Sequence, residues 1–244
     1  LNKEFILNIL NKYYLDGFVE QVKWIIKDKN LIIKFTTPTK DLIGVLEITN
    51  IDLPDSEIVI SDTTQLIKLI SILDNEFSFS LKEDNGFYSK IVCKDSNYQL
   101  LYSLGHSFLL DELSEVEEPL YEICTDFDKE FVNKFIKARK ALTSDTSQLY
   151  ITQIYDKNHK PLLAFYLGNE GEYSNKIAFT LSLETSTIPF DNLFFNIDMI
   201  KSILNNMGEG KLEINTEGLI KFHNEYELED NKLLKIKYFC LPKN

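Results

Sequence analysis

Lys3-Glu4-Phe5-Ile6-Leu7-Asn8-Ile9-Leu10-Asn11-Lys12-Tyr13-Tyr14 is answered in the second half of the chain by Lys129-Glu130-Phe131-Val132-Asn133-Lys134-Phe135-Ile136-Lys137-Ala138-Arg139-Lys140. Both stretches open on Lys-Glu-Phe. In the first, Phe5, Ile6, Ile9, Leu10 and Tyr13 fall on one stripe of a helix, with Glu4, Asn8, Asn11 and Lys12 opposite. In the second, Phe131, Val132, Phe135, Ile136 and Leu142 make the stripe, and Asn133, Lys134, Lys137 and Lys140 lie opposite. A second echo follows: Ile67-Lys68-Leu69-Ile70 is matched by Ile200-Lys201-Ser202-Ile203. Two halves with the same order of elements imply two similar domains rather than one large one.

The totals agree with that reading. The chain has 244 residues, enough for two domains of ordinary size. A hydrophobic content of 44% gives each half a core, and with Gly at 9 and Pro at 6 this is not low-complexity material. The cysteines Cys93, Cys124 and Cys240 are widely spaced with no C-x-x-C, which suits free thiols in a reducing compartment. No apolar run approaches the length of about 18 residues that a membrane span needs. The start, Leu1-Asn2-Lys3-Glu4, does not read as a signal peptide. The expected location is cytoplasmic, with no membrane partner.

Between the helices lie strand-like runs. Residues 22–27 and 31–35 flank the turn Asp28-Lys29-Asn30, and 42–49 and 57–61 follow. Ser61, Asp62 or Thr63 caps a short helix ending at Leu73, with Leu66, Ile67, Ile70 and Leu73 on its apolar face. Residues 77–81, 89–93 and 99–104 form a meander with a turn at Asp84-Asn85-Gly86. The second half repeats this: a strand at 121–125, a helix at 128–142, strands near 148–155, 161–167 and 176–183, a helix at 198–207, then a meander at 211–215, 219–223 and 233–241. The expected architecture is α+β: an N-terminal domain at 1–104, an acidic connector at 105–120 and a C-terminal domain at 121–244.

Catalytic signatures are missing. His106, His159 and His223 are isolated, with no His or Cys at metal-ligand spacing. The chain contains no G-x-x-x-x-G-K-[ST], no G-x-G-x-x-G and no G-x-S-x-G. Gly208-Glu209-Gly210 follows a helix, where glycine serves as a cap. The expectation is a non-enzyme with no catalytic residues, metal or cofactor.

Charge is the positive signal. The formal net charge is −12, which argues against a protein that coats nucleic acid or an anionic membrane through its whole surface. Yet the four helical segments sum to +5, leaving −17 for everything else. Helices that share a basic character on an acidic chain suit phosphate tracking without sequence readout.

Length, duplication, element order and charge together resemble the sliding-clamp family: the two-domain DNA polymerase processivity factors of T4-type phages and, more distantly, the eukaryotic and archaeal clamps. The stretches carrying the resemblance are 57–73 leading into 76–104, and 196–241. The close, Lys237-Tyr238-Phe239-Cys240-Leu241-Pro242, is similar to the clamp ending of a strand followed by Leu-Ala-Pro, here without the Ala. The resemblance implies a homotrimeric ring of DNA-clamp domains, each with two helices on antiparallel sheet, that encircles duplex DNA and tethers the polymerase after a clamp loader places it. It implies that Lys12, Lys68, Lys134, Lys137, Lys140 and Lys201 face DNA, with Asn8 and Asn11 as polar neighbours. The fourth helix carries only Lys201 beside Asn205 and Asn206. The resemblance also implies a pocket for a partner's hydrophobic peptide, formed from Phe108, Leu109, Leu110, Phe239, Leu241 and Pro242. Three other readings compete: a non-ring polymerase accessory protein, a two-domain α+β enzyme without a recognisable motif, and an interaction module whose basic helices bind an acidic partner.

Overall fold

The computed structural model describes residues 2–106, 110, 113–114, 116–169, 175–183, 190 and 192–242. The chain divides into two units: residues 1–115 with Glu225–Ile236, and 116–224 with 237–244.

The first unit begins with α1 (Lys3–Tyr14). Asn2 caps it, its side-chain oxygen accepting from the Phe5 N–H at 2.8 Å. The helix ends at Tyr14, where its sequence stretch ends, because Leu15 adopts φ 51° and its N–H bonds back to Asn11 O. Next come β1 (Val22–Lys27), β2 (Asn30–Thr36), β3 (Leu42–Ile48) and β4 (Ser56–Ile60), in the antiparallel order β4-β1-β2-β3. Asp28 and Lys29 take φ of 51° and 61° between β1 and β2, the left-handed pair of a tight hairpin. Strand alternation buries Trp24, Ile26, Leu31, Ile33 and Phe35, α1 buries Ile6, Ile9, Leu10 and Tyr13, and the Tyr13 and Phe35 rings meet at 6.2 Å between centroids. Then follow α2 (Thr63–Ser71), capped by Asp62, and the sheet β5 (Ser78–Asp84), β6 (Phe87–Lys94) and β7 (Gln99–Ser103).

The second unit repeats the programme with one strand more at its start. It runs β8 (Ile123–Phe127), α3 (Lys129–Ala141), β9 (Gln148–Tyr155), β10 (Pro161–Leu167), β11 (Ile177–Ser182), β12 (Leu193–Asn196), α4 (Ile197–Met207), β13 (Gly210–Ile214), β14 (Ile220–Leu228) and β15 (Lys232–Cys240). The order β12-β9-β10-β11 matches β4-β1-β2-β3, and β13-β14-β15 matches β5-β6-β7. β8 flanks β13, and at the corresponding place in the first unit Asn2 makes an isolated antiparallel bridge to Glu76. An aromatic cluster fills the core, with Phe131 edge-on to Phe165 at 5.0 Å and Phe165 stacked on Phe179 at 5.6 Å. Gly208 closes α4 with φ 76°, as its place after the helix predicts.

The tip of the β14–β15 hairpin, Glu225–Ile236, belongs to the first unit, where Thr49 N–H donates to Leu233 O at 3.0 Å. The chain is therefore α+β, with two similar domains, each holding a helix pair and antiparallel sheet.

Candidate nucleic-acid interface

α3 presents the basic face that its sequence announces. The Asp128 side chain caps it, accepting from Phe131 N–H at 2.8 Å, and Phe131, Val132, Phe135 and Ala138 turn inward. Asn133, Lys134, Lys137 and Lys140 are exposed on the other side. Lys134 pairs with Glu130 at 2.8 Å, an exposed i,i+4 pair of little energy that leaves the ammonium open to another anion. Lys137 and Lys140 have no ion-pair partner among the described residues.

Arg139 serves a different end. Its Nε and Nη2 donate to both Asp198 oxygens, at 2.8 and 3.0 Å, and Nη1 donates to Thr143 O at 3.0 Å. This fork ties α3 to the first turn of α4. The hydrogen bond to Asp198 raises the guanidinium's already high pKa. Arg139→Ala is expected to cost about 1–2 kcal/mol after allowing for the half-exposed Asp198. Arg139→Lys should recover only part of the loss, because an ammonium cannot fork. Urea unfolding of the three proteins checks both.

The other helices contribute less than their lysine counts suggest. Lys68 on α2 is exposed, but shares a shallow cleft with Glu20 and Asp62. Lys201 on α4 is half-buried. Asn11 is exposed and Asn8 half-exposed; both line a groove that also holds Glu4, Glu229 and Asp230.

Lys12 is a correction. Only 4% of it is exposed, and its ammonium lies 4.4 Å from the centre of the Tyr226 ring. The 225–236 hairpin that covers it comes from the far end of the sequence. Burial pulls the Lys12 pKa from its ordinary 10.5 down to about 8. At neutral pH the folded chain thus holds a charge it would rather lose. Lys12→Met is expected to stabilise the protein by about 1–3 kcal/mol at pH 7. Between about pH 8 and 10.5 the unfolded state binds the extra proton. Wild-type stability therefore rises with pH across that window relative to Lys12→Met, and the two should converge. Urea midpoints at pH 7, 9 and 10 measure this.

Of the expected peptide pocket, Phe108 and Leu109 lie outside the described residues, and Leu110 is half-buried. Leu241 is 43% exposed, and Pro242 rests against Gly218. Phe239 is 3% exposed, and alternation along β15 places it on the side that carries Lys237, opposite Tyr238 and Cys240.

The connector's last residues are fastened to the second unit. Lys221 Nζ and Lys237 Nζ each donate to Glu118 at 2.7 Å, one to each carboxylate oxygen. Asn215 Nδ2 donates to Leu120 O at 2.8 Å, and Thr216 N–H to Glu122 Oε2 at 2.9 Å. Burial pushes Glu118 up, but its two lysine hydrogen bonds outweigh that and hold the carboxyl below its ordinary range. Lys221 also pairs with Glu213 and lies 4.4 Å from the Tyr121 ring centre. Nothing in the local sequence announces this clasp, since Glu118 and Lys221 are a hundred positions apart.

No protein-family model matches the chain, and no curated protein matches its sequence. Solved structures do. The A. fulgidus PCNA structure with the C-terminal region of FEN-1 bound superposes with a TM-score of 0.72 at 14% identity, covering 100% of this chain and 97% of that one. PCNA from Thermococcus kodakaraensis gives 0.70 at 10% identity, covering 99% and 97%. The fold is that of the PCNA sliding clamps. The clamp fold spans the whole chain. Among the described residues, no group of three or more His, Cys, Asp or Glu is placed to hold a metal, and no helix is long and apolar enough to cross a membrane.

Proposed function

We propose that this chain is a DNA sliding clamp: three copies close into a ring around duplex DNA and tether the replicative polymerase, after a clamp loader opens the ring. The observation that carries the reading is a full-length clamp fold in which one helix, α3, exposes Lys134, Lys137 and Lys140 together, on a chain of net charge −12. Lys134, Lys137 and Lys140 are the principal DNA-facing residues, Lys68 and Lys201 minor ones. Kinship with the two-domain processivity factors of T4-type phages, acting in the cytoplasm of an infected cell, rests on the sequence resemblance. The proposed repeat boundaries remain 1–104 and 121–244, with 105–120 as the connector.

Ring closure has an internal pattern to follow. In the first unit, β3 is covered along its outer side by the 225–236 hairpin. In the second unit, β11 holds the matching place and has no such neighbour among the described residues. β7, the first unit's counterpart of β15, has no strand on its outer side among the described residues. Each copy thus offers one open edge of either kind, and pairing β7 of one copy with β11 of the next is a head-to-tail contact able to close a ring.

Light scattering across a dilution series, followed by retention on circular against linear duplex, tests the proposal. A mass near three times 28.4 kDa, with retention only on circular DNA after loading, is expected. A strict monomer that holds both DNAs equally would favour the non-ring accessory protein.

A further inference from the structure

On β5, β6 and β7 of the first unit, Phe79, Leu81, Ile91, Cys93, Leu100 and Tyr102 share the face turned to the core. The opposite face carries Lys82, Lys90 and Lys94, set around Val92 and Leu101. Lys82 and Lys94 are exposed and Lys90 half-exposed, while Leu101 is 52% exposed. None of the three lysines has an ion-pair partner among the described residues. The only acids on these strands, Glu83 and Asp84, fall beyond the register shift that follows Lys82.

The arrangement works against the fold. Lys82 stands directly across from Lys90 in the β5–β6 register, where like charges repel. An acid at either position would stabilise the sheet, and an acidic chain has many to spare.

The second unit shows what such a face can take. On the matching strands β13, β14 and β15, Lys221 and Lys237 also point away from the core side. There both are neutralised by Glu118, carried in on the extended segment before β8. Among the described residues, no carboxylate reaches Lys82, Lys90 or Lys94 in this way.

We propose that the Lys82/Lys90/Lys94 face is a docking site for an acidic, extended peptide segment of a partner protein, its carboxylates on the lysines and its apolar side chains on Val92 and Leu101. The apolar centre favours peptide over nucleic acid, whose phosphates have no use for an exposed leucine. This site is separate from the α3 lysines, so it stands or falls independently of the clamp reading.

The test uses a fluorescein-labelled peptide of alternating glutamate and leucine, a lysine–leucine peptide of equal length, and a duplex oligonucleotide. Each is titrated into the full chain and into Lys82→Glu/Lys90→Glu/Lys94→Glu. The acidic peptide should bind wild type, weaken by about tenfold or more in the variant, and weaken with added salt. Amide shifts should centre on residues 82, 90, 92, 94 and 101. The variant's melting temperature should equal or exceed wild type, which separates lost docking from lost folding. Leu101→Ser, which leaves the charges in place, should weaken the peptide without altering the salt dependence. Equal binding by variant and wild type, or shifts mapping elsewhere, overturns the proposal. So does loss of duplex binding, rather than peptide binding, in the charge-reversed variant.

Discussion

Gly44→Val is expected to destabilise the first unit by about 3 kcal/mol or more, read as a large drop in its urea midpoint. Gly44 pairs with Phe35 across β2 and β3, and the buried Phe35 ring lies flat over it. A Cβ placed on Gly44 would fall among three carbons of that ring, closer than real carbon atoms approach. The ring cannot swing away, because it is sealed in the core beside Tyr13, 6.2 Å between centroids. Overpacking of this kind costs about 3 kcal/mol or more, set against a total stability of about 5–15 kcal/mol for a domain. Gly44→Ala should already lower the urea midpoint clearly. Phe35→Leu added to Gly44→Ala should restore part of it, since the smaller side chain vacates the space. If Gly44→Ala alone is neutral, the ring is free to move and the packing argument fails.

Lys134→Gln/Lys137→Gln/Lys140→Gln is expected to weaken duplex binding at low salt by about a hundredfold or more, and to flatten its salt dependence. Each phosphate contact contributes roughly −0.9 to the slope of log K against log salt, so the slope should fall by about 3 per engaged copy. Glutamine keeps the stems and removes the charge, and none of the three positions lies in the buried stripe of α3, so the melting temperature should hold. Lys201→Gln should do far less. A triple variant with wild-type binding and slope would remove α3 from the DNA face.

Much of the fold was legible because it rests on local chemistry. α1 and α3 start after Asn2 and Asp128, side chains that cap through the same bond to a phenylalanine N–H. Asp28-Lys29 and Asn85-Gly86 turn their hairpins where the polar interruption predicts. What escaped depends on distance along the chain. β12 is a four-residue strand that runs straight into α4, too short for alternation to stand out. β14 extends through Asn224-Glu225-Tyr226-Glu227, polar enough to read as loop, because the tip of its hairpin is held by the first unit. The candidate site divides the same way. Lysines on α3 follow from helical spacing alone, whereas Lys12 looks equally free in sequence and is covered by Tyr226, more than two hundred positions away.

The burial of Lys12 sets a rhythm. The duplicated chain offers two versions of the same first helix, and only the second, α3, shows its cations to solvent. On the proposed reading, a ring of three copies would draw its main pull on DNA from three α3 faces per circuit, not from six equivalent helices, with each first unit adding only the lesser share of Lys68.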